Sequence, residues 1–150
     1  MEFDRATFFF GKFVIDFNYM KKIETQIYQY LKERGWDNLA PANIAKSISI
    51  EAAELLEIFQ WTNNSLEETK KDTQKMAEIK KELADVLIYA FDMAVLLEID
   101  TQKIIEEKLE QVKKKYPAVL MRKNAKAQSG SGASSEYLKI KNDYRRKGKS

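Results

Sequence analysis

The amino-acid sequence predicts an all-α fold, four helices packed as a bundle, on three observations. Apolar residues recur at spacings of three and four through most of the chain, only two prolines and five glycines interrupt it, and no alternating run is long enough for a sheet. The 150 residues, 44% hydrophobic and 33% charged, fit one domain with little room for a second.

The first helix runs from about Tyr19 to Arg34, with Ile23, Ile27, Tyr30 and Leu31 on one side and Gly35 as its stop. A second starts near Pro41 and Ala42, carries Ile44, Ile48, Leu55, Ile58 and Phe59, and reaches about Trp61; Thr62 to Ser65 is a polar break. The third, from the mid-70s to Glu98, carries Ile79, Leu83, Val86, Leu87, Ala90 and Leu97. Asp100 or Thr101 can cap a fourth, which sets Ile104, Ile105, Leu109 and Val112 on one side and stops at Pro117.

Charge divides the chain at that proline. Residues 1–117 hold 17 basic and 21 acidic side chains, whereas residues 118–150 hold nine and two, and a linker-like AQSGSGASSE lies among them. The expected organisation is an aromatic N-terminal extension over 1–18, a helical domain over 19–117, and a basic, partly flexible tail over 118–150. A net-acidic helical domain excludes a basic nucleic-acid-binding core and leaves nucleic acid as a partner of the tail alone. No apolar run approaches the roughly 20 residues of a membrane span. Phe8–Phe10 is flanked by Asp4, Lys12 and Asp16 with no small-residue cleavage site, unlike a signal peptide. The expected location is cytoplasmic, with no membrane partner.

The chain has no histidine and no cysteine. That excludes Ser-His-Asp and Cys-His nucleophile pairs, Cys/His zinc sites, disulfides and the Glu-x-x-His motifs of a di-iron bundle. Carboxylate, lysine, hydroxyl and aromatic chemistry remains, and carboxylates suit hard cations such as Mg²⁺, Mn²⁺ and Ca²⁺.

The acids are conspicuous on two helices. Glu51, Glu54 and Glu57 are spaced by three in the second; Glu82 and Asp85 are spaced by three in the third, with Tyr89 four further on and Asp92 seven beyond Asp85. Residues three or four apart share a helical face, so each pair sends two carboxylates to the same side. Ile48, Ile50, Leu55 and Leu56 surround one pair; Leu83, Val86, Leu87 and Ile88 surround the other. Like charges in so apolar a setting are costly unless a cation neutralises them. Spacing alone favours a narrow solvated stripe, its acids bonded to lysines such as Lys80 and Lys81, since glutamate at three-residue spacing is common on exposed helical faces.

ExxE at Glu51 and Glu54, followed after 27 residues by ExxD at Glu82 and Asp85, resembles the signature of the all-α nucleoside triphosphate pyrophosphatases. Gly35-Trp36, IEAAELLEIFQW from Ile50 to Trp61, ELADVLIY from Glu82 to Tyr89, and Lys108 with Tyr116-Pro117 together resemble the single-domain MazG-like branch, close to the dCTP pyrophosphatases, over about residues 20–117. The resemblance implies hydrolysis of (deoxy)nucleoside triphosphates at the α–β phosphoanhydride, with a role in the dNTP pool, and assembly as a homodimer or a dimer of dimers. By similarity, Glu51, Glu54, Glu82 and Asp85 hold Mg²⁺, for which Mn²⁺ can substitute; one of them, or Glu57, accepts the proton of the attacking water. Lys108 meets the phosphates, Trp36 and Trp61 flank the base, and Tyr89 lies near the sugar and base. Val112 stands where the family often has an asparagine that reads the base, and valine offers no side-chain hydrogen bond, so cytosine preference is not implied.

Two other functions fit the composition. A non-catalytic helical interaction module would gain no stability from Mg²⁺. A tail that touches nucleic acid would show steeply salt-dependent binding.

Overall fold

The computed structural model of the chain describes residues 8–10, 13–15, 17–125 and 135–148. Two three-residue strands, β1 (Phe8–Phe10) and β2 (Phe13–Ile15), precede seven helices: α1 (Phe17–Glu33), α2 (Pro41–Glu57), α3 (Leu66–Lys71), α4 (Thr73–Leu96), α5 (Thr101–Lys115), α6 (Ala118–Ala125) and α7 (Ser135–Arg146). The all-α reading holds, with one addition. β1 and β2 pair antiparallel, Phe8 with Ile15, Phe9 with Val14 and Phe10 with Phe13. Aromatic and β-branched triplets separated by Gly11-Lys12 have the sequence pattern of a tight hairpin, and three residues are too few for alternation to register. Asp4, Lys12 and Asp16 lie outside the described residues, as does the linker-like run apart from its last two positions.

The chain forms two compact units, residues 1–101 and 102–150. The division falls at the start of α5, so the boundary expected at Pro117 lies inside the second unit. In the first unit α2 packs along α4 more extensively than any other pair, and α1 and α3 also pack on α4. Leu31, Ile44 and Ala94 are the buried apolar side chains among the described residues.

Helix ends in this unit are set by local chemistry. Gly35 adopts φ 65° after α1, letting the Trp36 N–H donate to the Leu31 carbonyl at 2.9 Å and the Gly35 N–H to that of Lys32 at 3.1 Å. This doubly bonded left-handed ending closes the helix and throws Trp36 clear of it. Pro41 opens α2 at a position where its missing N–H is no loss. α2 ends at Glu57, before the anticipated Trp61, because the chain tightens: the N–H groups of Phe59 and Gln60 donate to the carbonyls of Leu56 and Glu57, three residues back, both at 3.0 Å. α3, which the hydrophobic period had not shown, is started by a capping box. The Ser65 Oγ accepts from the Glu68 N–H at 3.3 Å, while the Ser65 N–H donates to Glu68 Oε2 at 2.8 Å. Asp72 then ends α3 and caps α4, its Oδ1 accepting from the Lys75 N–H at 2.9 Å.

α4 ends like α1 but without glycine. Glu98 takes φ 54°, the Ile99 N–H donates to the Ala94 carbonyl at 2.8 Å, and the Glu98 N–H to that of Val95 at 3.4 Å. A residue with a Cβ is strained there, and an acidic one directly follows the negative end of the helix.

In the second unit the described residues of the tail include two helices. α6 packs with α7, Tyr116 stacks on Tyr137 with ring centres 5.0 Å apart, and Lys115 Nζ lies 4.5 Å from the centre of the Tyr144 ring. Among the described residues, no helix is long and apolar enough to cross a membrane.

The Glu98 ending supplies a test. Glu98→Gly should raise stability by about 1 kcal/mol in urea unfolding, since glycine adopts a left-handed turn without strain. An unchanged or lowered midpoint would contradict this account of the α4 end.

Candidate functional site

The burial pattern of α2 gives its inward stripe: Ile44 is buried, and Ile48, Glu51, Leu55 and Ile58 are half-buried at steps of three and four. Glu51 therefore occupies a position that helical packing reserves for an apolar side chain. On α4, Ile79, Glu82, Val86, Tyr89 and Met93 make the corresponding half-buried stripe, with Asp85 half-buried beside it. Both helices thus direct acids at one another. Glu51, Glu82 and Asp85 each offer a carboxylate oxygen, and these oxygens lie within 4.8 Å of one another.

Electrostatics matches that crowding. Desolvation, then repulsion from Glu54, Asp85 and Glu82, raises the Glu51 carboxyl above its ordinary value, with Lys81 offsetting part of the effect. Lys81 Nζ stands 2.7 Å from Glu82 Oε1 and 3.9 Å from Asp85 Oδ2, so an ammonium sits against two of the three acids. Its hydrogen bond to Glu82, and then the charge of Glu82, hold the Lys81 pKa above the usual lysine value. The lysine side chain is 68% exposed and can leave at little cost. The second oxygen of Glu82 is buried without a hydrogen-bond partner, and an unpaired buried carboxylate oxygen is expensive. Three hard oxygen donors, one of them unsatisfied, and a lysine already standing in as counter-charge fit a divalent cation. The lysine-bonded alternative raised by the sequence is thus present too, at the same acids.

The remaining candidates lie outside this three-carboxylate group. Glu54, one turn along α2, is exposed and outside the three-carboxylate group, though near enough to act on Glu51. Glu57 is exposed at the last residue of α2. Tyr89 is half-buried one turn beyond Asp85. Trp36 is 45% exposed after the α1 ending and meets Tyr30 edge-on at 6.0 Å, while Arg34 lies 3.8 Å over the Tyr30 ring. Trp61 is 87% exposed on the turn after α2. Lys108 and Val112 are exposed on α5, in the second unit.

The depth of Asp92 and a contact of Lys75 escaped the sequence reading. Asp92 is 4% exposed, with Oδ1 lacking a partner, and burial alone raises its pKa. Its seven-residue offset from Asp85 gives its direction on the helix but not its depth. Lys75 reaches back from α4 to Thr62, a contact with no short-range signature.

Comparison with known proteins gives one consistent answer. The MazG-like family profile matches residues 46–129. Human dCTP pyrophosphatase 1 is 30% identical over 100 residues, covering 65% of this chain and 59% of its own length. The rat protein of the same description is 28% identical over 99 residues, covering 65% and 58%. The chain therefore spans less than two thirds of these relatives. A solved structure, a pyrophosphatase from Archaeoglobus fulgidus DSM 4304, is 40% identical with a TM-score of 0.59, covering 66% of this chain and 93% of that one.

Asp92 gives the prediction of this section. Its raised pKa means that folding favours the proton-bound form. The stabilising proton is fully held below the ordinary value of 3.8, and that advantage is lost as pH rises through the folded value. Asp92→Asn, neutral at every pH, should be roughly 1 kcal/mol more stable than the parent at neutral pH, with the gap closing toward acid. Thermal melts across pH test it; a variant less stable at pH 7 would contradict it.

Proposed function

This chain belongs to the MazG-like family, and from that membership we propose that it is a nucleotide pyrophosphohydrolase, cleaving (deoxy)nucleoside triphosphates to the monophosphate and pyrophosphate. The observation that carries the reading is the convergence of Glu51, Glu82 and Asp85 between α2 and α4. The names of the relatives, dCTP pyrophosphatase 1 and a pyrophosphatase, support it.

In this reading Glu51, Glu82 and Asp85, joined by Glu54, would hold Mg²⁺, with Mn²⁺ as a substitute. Such an ion supplies neutralisation of phosphate charge and acidification of the attacking water. The chain's own groups do the rest. A carboxylate of the cluster, or Glu57, accepts the water proton as the new P–O bond forms at the α-phosphorus and the α–β anhydride breaks, pyrophosphate leaving with the bond electrons. Trp36 and Trp61 offer ring faces to the base, Tyr89 lies toward the sugar, and Lys108 contributes a point charge to the phosphates. Val112 supplies no hydrogen bond to the base, so base preference is set by other groups.

The same proposal includes a homodimer or homotetramer. Leu56 is 70% exposed and Leu87 49%, with Ile50, Leu83 and Ile88 also exposed on α2 and α4, more apolar surface than one small domain usually leaves uncovered. It further includes a cytoplasmic role in the dNTP pool.

The decisive assay is chromatographic: canonical and modified dNTPs and NTPs with Mg²⁺ or EDTA. Monophosphate and pyrophosphate should appear together, vanish with EDTA, and fall at least about 100-fold in Glu51→Gln, as when a group stabilising transition-state charge is lost. No turnover by folded parent protein would overturn the proposal.

The raised Glu51 pKa gives a second test. Without divalent cation, stability associated with this group is greatest below its ordinary 4.5 and declines as pH rises through the folded value. Added Mg²⁺ should reverse that trend, its thermal stabilisation growing as pH rises above 4.5 and protons cease to compete. A Mg²⁺ effect that is absent, or flat with pH, would count against these carboxylates as the metal site.

A further inference from the structure

Trp61 stands on a turn that its own side chain does little to fix, since the ring is 87% exposed. The segment between α2 and α3 carries a few backbone bonds, including the Thr62 N–H to the Phe59 carbonyl at 3.2 Å. Most side-chain hydrogen bonds among the described residues join positions within one helical turn. Lys75 is different: its Nζ donates to Thr62 Oγ1 at 2.7 Å, across thirteen positions of sequence. The same ammonium lies 5.8 Å from the centre of the Phe59 ring, within range of a cation–π attraction. Phe59 and Thr62 bracket Trp61, so one side chain holds both shoulders of the turn. The root of that side chain is itself fixed, because the Lys75 N–H is held by the Asp72 cap at 2.9 Å. α4, which carries Glu82 and Asp85, is thereby tied to the segment that carries Trp61.

We propose that Lys75 is a positioning residue, which clamps the Phe59–Thr62 turn to α4 and so holds Trp61 in place for a nucleotide base. The proposal deepens the nucleotide reading of Trp61 given above and rests on it. Lys75 touches neither the reacting atoms nor the acid cluster. Its effect is on the entropy of the turn: a ring already held needs less ordering when the base arrives.

Three variants test it: Lys75→Met, which keeps the stem and removes the charge and the donor; Lys75→Arg, which restores both; and Thr62→Val, which removes the acceptor. In a Trp36→Phe background, where Trp61 is the sole tryptophan, nucleotide-free fluorescence anisotropy reports the freedom of the turn. Lys75→Met and Thr62→Val should lower it, and Lys75→Arg should restore it. In the otherwise native chain, the KM for dCTP with Mg²⁺ should rise about fivefold in Lys75→Met with kcat nearly unchanged, the pattern of lost binding rather than lost chemistry. Unchanged anisotropy would overturn the clamp. Lowered anisotropy with unchanged KM would overturn its role toward substrate if Trp61→Ala does raise KM. If Trp61→Ala leaves KM unchanged, the nucleotide reading of Trp61 is what fails, and the proposal falls with it.

Discussion

Three carboxylates meeting between α2 and α4 set the terms for the rest of the first unit. Glu51 and Glu82 lie on the stripes through which these helices pack, so the helices cannot close on one another without bringing negative charges together. Apolar residues at those positions would give a tighter bundle. Desolvation and then the neighbouring acids raise the Glu51 pKa, Lys81 stands over Glu82 and Asp85, and one Glu82 oxygen has no partner. Each is a sign of a negative field that lacks its full counter-charge. A divalent cation held by these acids, as proposed above, would supply that counter-charge and tie the stability of the pair to its chemistry.

The aromatic groups assigned to the base are placed differently from the acids. The acids stand inside long helices, where neighbouring turns fix their direction. Trp36 and Trp61 stand just beyond helix ends, where the chain has turned into solvent. The left-handed Gly35 turn fixes the first, and Lys75 reaches back to the turn bearing the second. Rigid helices thus carry the charge, and short connections carry the two tryptophans proposed to meet the base, a division common in sites that must admit and release a ligand.

Burial also sorts the apolar residues. Leu31, Ile44 and Ala94 are enclosed, whereas Leu83, Leu87 and Ile88 face outward on the same helix that directs Glu82 inward. Apolar composition on both sides of α4 therefore belongs to two surfaces, one facing α2 and one exposed. Its near-continuous hydrophobic sequence, ELADVLIYAF, made Leu83 and Leu87 look like core positions. Periodicity identifies an apolar face, and it does not say whether the chain itself covers it.

The sequence by itself determined α1, α2, α4 and α5, their approximate ends, and the ExxE and ExxD pairs, because these depend on spacings of three and four within one element; α3, α6 and α7 were not read from it. It contained further local signals that periodicity passes over: the Ser65–Glu68 capping box that starts α3, and the Gly11-Lys12 pair between two short strands. Tertiary structure alone decided which acids meet. Glu51 and Glu54 are equal candidates by spacing and share a face of α2, yet roughly 60° of rotation and most of a turn's rise separate them, and Glu51 is the half-buried one that joins the acids of α4 while Glu54 is exposed. It alone decided the depth of Asp92 and the bond from Lys75 to Thr62, since each depends on how one helix is rotated and seated against another segment. That seating is a balance of packing and charge over many residues, and no short stretch of sequence contains it.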